Sequence, residues 1–293
     1  MHRNRPSTLL ALCLAGMATT PLASAGHANT AGDTPARYSD DASHAGEQRT
    51  LLQELAISFP HATQRRHLDV DIKRGDIIVS AHDGDDVRVR IWVPADAEHA
   101  QGADGDGFRA ASARPLDFEI RQDGNTIELD ANDYHQVTHV EVLVPRAIDL
   151  TLDSYRNGVI RVDGVRGHVR ARSQNNDIIL TDIAGTADVY GYNGSQSASF
   201  QEVTGELSFE TYNGNVALTL PAGVEATTTI RGGHHGVRTQ FEIDQRATTP
   251  RVTERKDGSL AIDFGEYAIG DINGGGSSVQ IETTNGRIDI RTP

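Results

Sequence analysis

The chain has 293 residues, with 27 Lys and Arg against 41 Asp and Glu, and a formal net charge of −14 at pH 7. This acidic balance argues against nucleic acid or an anionic membrane as a partner, because both would repel the chain. The 29 glycines and the 5% aromatic content favour a turn-rich all-β chain over a helical one.

The N-terminus has the pattern of a secretory signal. Arg3 and Arg5 precede an apolar stretch, Leu9 to Ala18, and Ala23-Ser24-Ala25 is a cleavage motif. We therefore expect a signal peptide over residues 1–25 and an exported chain, in the periplasm or at the cell surface. The apolar stretch is too short to span a bilayer, and no later stretch is long enough either. The only cysteine, Cys13, lies inside this segment, so the mature chain would have no disulfide.

Residues 26–57 are small and polar and indicate a flexible leader. Within it, Gln48 to Ile57 could form a short helix or lead into the first strand. Residues 58–293 contain no Pro- or Ser-rich linker and are predicted to be one domain. Its N-terminal part is predicted to be rich in β-hairpins, with a surface loop over Ala97 to Ala113.

A short unit recurs through this domain. It reads Gly or Asn, any residue, Ile or Val, any residue, and then Val or Leu, with a second Gly further on. From the second unit the turns lie 18, 18 and 20 residues apart. The units begin at Gly75, Gly158, Asn176 and Gly214, and several follow an Asn. Equal spacing of this kind is typical of a stacked repeat.

The physics of one unit predicts how the units associate. Gly tolerates positive backbone angles, so we expect Asn-Gly to form a tight turn. The alternation that follows sends one side chain inwards and the next outwards, as a strand requires. A unit this short cannot bury its own apolar face, so successive units should stack. We predict a single-domain all-β solenoid of parallel coils of about 18–20 residues, with Ile160, Ile178 and Val216 in one buried column. A chain of β-hairpins is the alternative.

The chain resembles the DUF4097 family of exported β-strand-repeat proteins, which carries the name putative adhesin. The resemblance rests on the opening Gly75 to Val79, on the serial Asn-Gly units, and on the closing Gly274-Gly275-Gly276 with Glu282 to Ile290. It covers residues 58–293 and implies a solenoid-like domain in the cell envelope that closes with its C-terminal piece. It brings no catalytic residues.

Aromatic and amide side chains recur at the turns. Tyr155, Tyr192 and Tyr212 each come just before the Asn of a turn, namely Asn157, Asn193 and Asn213. In a stack these rings could form a ladder that binds sugar rings, with the Asn side chains as hydrogen-bond partners. The alternative is that the rings only seal the end of the core.

Other chemistry is weakly indicated. His135 and His139 are four residues apart, but on a strand this spacing does not bring two rings together. Two acidic segments, Asp83 to Asp86 and Asp104 to Gly107, resemble fragments of calcium loops without the complete ligand set. We therefore predict no metal and no cofactor. A basic strip could meet a polyanion or pair with acidic turns: Arg156, Arg161, Arg166, Arg170 and Arg172.

The motifs of common catalytic sites are absent from the sequence, including Gly-x-Ser-x-Gly and His-Glu-x-x-His. The sequence therefore predicts a non-enzymatic envelope protein, an adhesin or interaction module that displays repeated side chains on a rigid stack. The partner would be an envelope glycan or another envelope protein. An accessory role in envelope-stress signalling and a polysaccharide-active β-helix enzyme remain as alternatives.

Overall fold

All of the regular structure described is β-strand, as predicted. The computed structural model describes residues 49–61, 63–95, 117–156, 158–232, 235–246, 251–254, 260–263 and 267–293, and these belong to one compact unit, Gly46–Pro293. The signal peptide, most of the leader and the loop over Ala97 to Ala113 lie outside the described residues. Among the described residues, no helix has the length and apolar composition that a membrane crossing requires.

The strands follow one another closely along the chain. The first eleven are β1 (Arg49–Ser58), β2 (His67–Arg74), β3 (Ile77–His82), β4 (Asp86–Pro94), β5 (Phe118–Asp123), β6 (Thr126–Ala131), β7 (His139–Pro145), β8 (Asp149–Arg156), β9 (Ile160–Asp163), β10 (Arg166–Ser173) and β11 (Ile178–Asn193). The remainder are β12 (Gln196–Asn213), β13 (Val216–Thr219), β14 (Ala226–Gly232), β15 (Val237–Thr239), β16 (Asp244–Arg246), β17 (Arg251–Glu254), β18 (Leu260–Asp263), β19 (Tyr267–Ile272), β20 (Ser277–Thr283) and β21 (Ile288–Arg291).

Of the two alternatives for residues 48–57, the short helix is wrong for the described residues 49–57, which form a strand. They are part of β1, which pairs antiparallel with β4 along its length, with one irregularity at Leu52. The strand begins N-terminal of residue 58, where the sequence places the start of the domain. The pairing with β4 explains why this segment forms a strand and not a helix, because it supplies the backbone partners that an isolated short helix would lack.

One curled, mixed sheet contains nearly all of the strands and forms two faces around a common core. The order on face 1 is β1, β4, β7, β3, β9, β11, β12, β13, β21 and β15. The order on face 2 is β5, β6, β2, β8, β10, β11, β12, β20, β14, β19 and β16. Strands β11 and β12 belong to both faces, because each starts on face 1 and continues on face 2.

A layer consists of a face 2 strand and the face 1 strand that follows it. Along the stack the layers are β6–β7, β2–β3, β8–β9, β10–β11, β11–β12, β12–β13, β20–β21 and β14–β15, and strands of neighbouring layers pair in parallel. The predicted column is confirmed: Ile160 pairs with Ile178, and Gln196 connects Ile178 to Val216. All four side chains are buried. The solenoid, as a description of the whole of residues 58–293, stays a prediction.

The C-terminal piece does not close the stack, and that expectation is wrong. Strand β20 lies between β12 and β14, and β21 lies between β13 and β15. The first layer of the chain is inserted in the same way, with β2 between β6 and β8 and β3 between β7 and β9. Both inserted layers have backbone partners on two sides, which protects these terminal strands from fraying.

The glycines at the layer turns are needed for close packing. A Cβ on Gly158, Gly194, Gly214 or Gly286 would overlap a backbone oxygen of the neighbouring layer, which at Gly214 is the oxygen of Gly194. Positive backbone angles account for the Asn-Gly pattern only at Gly194, where φ is 153°, because Gly158, Gly214 and Gly286 are not among the glycines with positive φ. The Asn residues before them do not have positive φ either, among the residues described.

A buried ion pair joins four strands at the N-terminal end of the stack. Asp76 lies just before β3. Its carboxylate accepts hydrogen bonds from Arg49 of β1 at 2.7 Å and from the backbone N–H of Val159, just before β9, at 2.9 Å. The same carboxylate lies 3.0 Å from Nδ1 of His139 in β7. Burial raises the pKa of Asp76, but the hydrogen bonds from His139, Val159 and Arg49 outweigh it and hold this pKa well below its ordinary value. The carboxylate therefore stabilises the fold at neutral pH.

We expect Gly214→Ala to lower the free energy of unfolding by about 1–3 kcal/mol, because the added methyl must displace a backbone oxygen. Urea unfolding with linear extrapolation measures the change. The control is Gly223→Ala, where a Cβ meets nothing within 4 Å, and its effect should be neutral or slightly stabilising. Equal losses at the two positions would contradict the close-packing explanation.

We expect Asp76→Asn to destabilise the protein at pH 7 by about 2 kcal/mol, because Arg49 loses its buried partner. Since the folded-state pKa is depressed, the stabilisation is present above the unfolded-state value of 3.8 and is lost as the pH falls towards the folded-state value. The difference between variant and wild type in urea unfolding should therefore shrink below about pH 4. Asp85→Asn, which removes an exposed partner of Arg66, should cost little at any pH.

Candidate functional site

Six of the turns that lead from face 2 to face 1 lie in a row, which we call the turn edge. It comprises residues 72–77, 154–160, 173–178, 191–196, 211–216 and 283–288, of which residue 157 is outside the described residues. Hydroxyl side chains lie buried at the inner side of the turn edge. They belong to the register partners Ser154 and Ser173 and, further along the stack, to the register partners Thr211 and Thr283. Side chains that follow these residues emerge at the surface in columns.

An asparagine ladder runs along the turn edge. Asn193 Nδ2 donates to Asn175 Oδ1 at 2.9 Å, Asn213 Nδ2 donates to Asn193 Oδ1 at 2.7 Å, and Asn285 Nδ2 donates to Asn213 Oδ1 at 2.8 Å. Two of the three predicted Asn residues, Asn193 and Asn213, are thus brought together, but part of their hydrogen-bonding capacity is used within the ladder. Each amide has two donors, so one N–H per side chain remains for a ligand or water.

Two of the three predicted tyrosines stack beside this ladder. The rings of Tyr192 and Tyr212 have centroids 5.3 Å apart and planes at 5°, and their residues are 47% and 46% exposed. The two rings cover one another on one side only. The equivalent position in the next layer towards the N-terminus is Gln174, which is exposed, and the equivalent position beyond Tyr212 is Thr284. The outer face of each ring therefore borders a non-aromatic residue.

Tyr155 does not join this stack. Gln174 occupies the layer between Tyr155 and Tyr192. Tyr155 instead makes an edge-on contact with Tyr134, with centroids 5.7 Å apart and planes at 88°, and Arg156 Cζ lies 5.5 Å from the centroid of its ring. The remaining predicted site residue, Asn157, lies outside the described residues.

The predicted basic strip does not form a continuous surface. Arg170 is on face 2 and pairs with Asp188 at 3.2 Å, while Arg161 is on face 1. Arg156 is at the turn edge, and its register partner there is Arg74. Arg74 is not part of the predicted strip. The repeat pattern could have indicated it, because Arg74 directly precedes Gly75 as Asn193 and Asn213 directly precede the glycines of their units.

The first calcium-like segment and His139 are engaged with other protein groups. Asp83 accepts from Arg146 at 2.7 Å and Asp85 from Arg66 at 2.8 Å, so the first calcium-like segment is an arginine-paired turn. His139 is buried beside Asp76, and His135 lies outside the strands. Within the described part of the chain, no group of three or more His, Cys, Asp and Glu could hold a metal ion. The segment Asp104 to Gly107 lies outside the described residues.

Comparison with known proteins identifies structural similarity only. No protein-family model matches the chain, and no curated protein does. The chain is similar to the structure of a putative cell adhesion protein from Clostridium sporogenes, with a TM-score of 0.42, 10% identity, and coverage of 82% of this chain and 99% of that chain.

The chain is also similar to a putative adhesin from Parabacteroides distasonis, with a TM-score of 0.36, 8% identity, and coverage of 85% of this chain and 98% of that chain. At such identities and TM-scores the similarity identifies no ligand and no activity. Membership of the DUF4097 family stays a prediction.

We expect Asn193→Ala to lower the free energy of unfolding by about 1 kcal/mol, because it removes two ladder hydrogen bonds. Asn285→Ala removes a single ladder bond, from the end of the ladder, and should cost less. Urea unfolding of both variants tests the ladder, and a greater loss at Asn285 would contradict it.

Proposed function

We propose that this chain is an exported, non-enzymatic interaction module of the cell envelope, and that it binds glycan along its turn edge. The stacked and exposed pair of Tyr192 and Tyr212 carries the proposal. Large aromatic rings at a surface offer apolar area with a polar tip, which suits the alternating apolar and hydroxyl faces of a sugar. The signal-like N-terminus supports the export.

The geometry limits how a sugar could bind. Because the two rings cover each other, a saccharide cannot lie across both faces. It can pack on the outer face of Tyr192, above Gln174, or on the outer face of Tyr212, beside Thr284. The amides of Asn193 and Asn213 retain a donor each and lie in the next column, where they could bind ring hydroxyls.

The stack also supports binding by rigidity. The ladder side chains are held by hydrogen bonds from layer to layer, and the layers repeat at the strand spacing of ~4.8 Å. A polymer that runs along the turn edge meets similar groups at each layer without ordering a loop. Several weak contacts can therefore add, as in other multivalent binders.

Asp76 supports a non-enzymatic reading. A carboxyl with a shifted pKa is often a catalytic candidate. Here its oxygens are bound to Arg49 and to the Val159 N–H, and only 3% of the residue is exposed. Its role is therefore to hold strands together.

We expect Tyr192→Ala with Tyr212→Ala to weaken retention on purified peptidoglycan sacculi by about tenfold or more, because both stacking surfaces are lost. Tyr190→Ala is the control: it removes an exposed tyrosine of the same strand, outside the stacked pair. Sedimentation with sacculi measures bound protein, and urea unfolding confirms that the variants fold.

Unchanged retention in the double variant, or an equal loss in the control, would refute this binding surface. Release of soluble or unsaturated saccharides from acidic polysaccharide during incubation would refute the non-enzymatic reading.

A further inference from the structure

We propose that the glycan bound at the turn edge is acidic, and that Arg74, Arg156 and Asn175 form a site for one of its anionic groups. This inference rests on the proposed function and specifies the class of its ligand. The site lies at the N-terminal end of the asparagine ladder, one layer beyond its last amide.

The first observation is the register of the two arginines. Arg74 ends β2 and Arg156 ends β8, and they are direct partners in the parallel ladder. Like charges at neighbouring positions of a sheet destabilise it. Neither guanidinium has a carboxylate partner among the described residues, whereas Arg49, Arg146 and Arg238 each pair with an aspartate. A bound anion would relieve this repulsion with charge-assisted hydrogen bonds.

The second observation is the direction of the asparagine ladder. Each amide donates towards the N-terminal layers, and among the described residues the ladder ends with Asn175, whose Oδ1 accepts from Asn193. Arg156 stands two residues after Ser154, just as Asn175 stands two residues after Ser173, and these two serines are register partners. The end of the ladder therefore places the Nδ2 donor of Asn175 in the layer next to Arg156. Three groups at this end can donate, and an anion is the acceptor they lack.

The third observation is that the Arg74 guanidinium is not fully satisfied by the protein. Arg74 Nε is buried without a hydrogen-bond partner, and so is Oε1 of Gln136. Gln136 lies in the segment between β6 and β7, close to Thr138, whose backbone N–H donates to Arg74 O at 2.8 Å. Buried polar atoms of this kind are costly unless paired. The Arg74 residue as a whole is only partly buried, so the rest of its side chain can be reached from the turn edge.

The fourth observation is continuity with the tyrosines. Arg156 packs over the ring of Tyr155, which contacts Tyr134, an exposed residue. Tyr155 lies two layers from Tyr192, which is about 10 Å at the usual strand spacing. One linear oligosaccharide can therefore reach from the arginines to the stacked pair.

The net charge of −14 argued against nucleic acid or an anionic membrane as a partner, but the turn edge differs locally from this average. Nucleic acid and anionic membranes carry negative charge over a wide area, so the whole acidic protein would be repelled by them. A narrow polymer with one acid per sugar meets only the edge. The arrangement therefore favours an acidic polysaccharide over a lipid surface.

The test uses polygalacturonate and its methyl ester, which share a backbone and differ in charge. The full mature chain is passed over each immobilised polymer at low salt. We expect retention on polygalacturonate to exceed that on the ester by about tenfold, and Arg74→Gln with Arg156→Gln to abolish this excess. The control, Arg88→Gln with Arg90→Gln, removes the same charge from exposed ion pairs with Asp86 and Glu54 and should behave as the wild type. Urea unfolding establishes that each variant is folded.

The outcomes are distinct. Equal retention of the wild type on both polymers refutes the acidic class but leaves the proposed function standing. Absence of retention on either polymer and on sacculi refutes both. An equal loss in the control pair shows that only net charge matters and refutes the site. Binding to phosphatidylglycerol vesicles that requires Arg74 and Arg156, without retention on polygalacturonate, refutes the inference in favour of an anionic lipid surface.

Discussion

The contact between backbones of successive layers at the turn edge is the constraint on which the structure depends. At Gly214 a backbone oxygen of the layer below occupies the space that a Cβ would need. Layers this close can pair in parallel with little change of register, and equivalent side chains then fall above one another. The asparagine ladder and the stacked pair of Tyr192 and Tyr212 both result from this alignment.

Three deviations show how the stack tolerates irregular units. The sequence departs from glycine at Asn176, and there the side chain turns inwards, donates to Ser154 Oγ at 3.2 Å and accepts from the Gly158 N–H at 3.0 Å. The longer unit that starts at Gly194 is accommodated by register shifts between β11 and β12. A polar residue, Gln196, is buried in the apolar column and is held by a 2.6 Å hydrogen bond from its Nε2 to Glu210 O. The parallel pairing continues through all three sites.

The same alignment gives the turn edge its chemical direction. Amides that all donate towards the N-terminal layers leave donors at one end, where the column continues with Arg156 and Arg74. An acceptor-rich end and a donor-rich end would suit different ligands. The proposed binding of acidic glycan is therefore a consequence of how an ordered column terminates, and the Asp76 ion pair next to this end fixes the strands that carry it.

The sequence by itself determined the all-β fold, the position of most turns and the buried column through Ile160, Ile178 and Val216. These features follow from local patterns, because alternation and glycine spacing act within a few residues. Only the tertiary structure decided that the C-terminal layer is inserted, that Gln174 separates Tyr155 from Tyr192, and that Arg74 meets Arg156. These depend on which layers become neighbours, and a layer pairs with its neighbour in space, which need not be its neighbour in the chain.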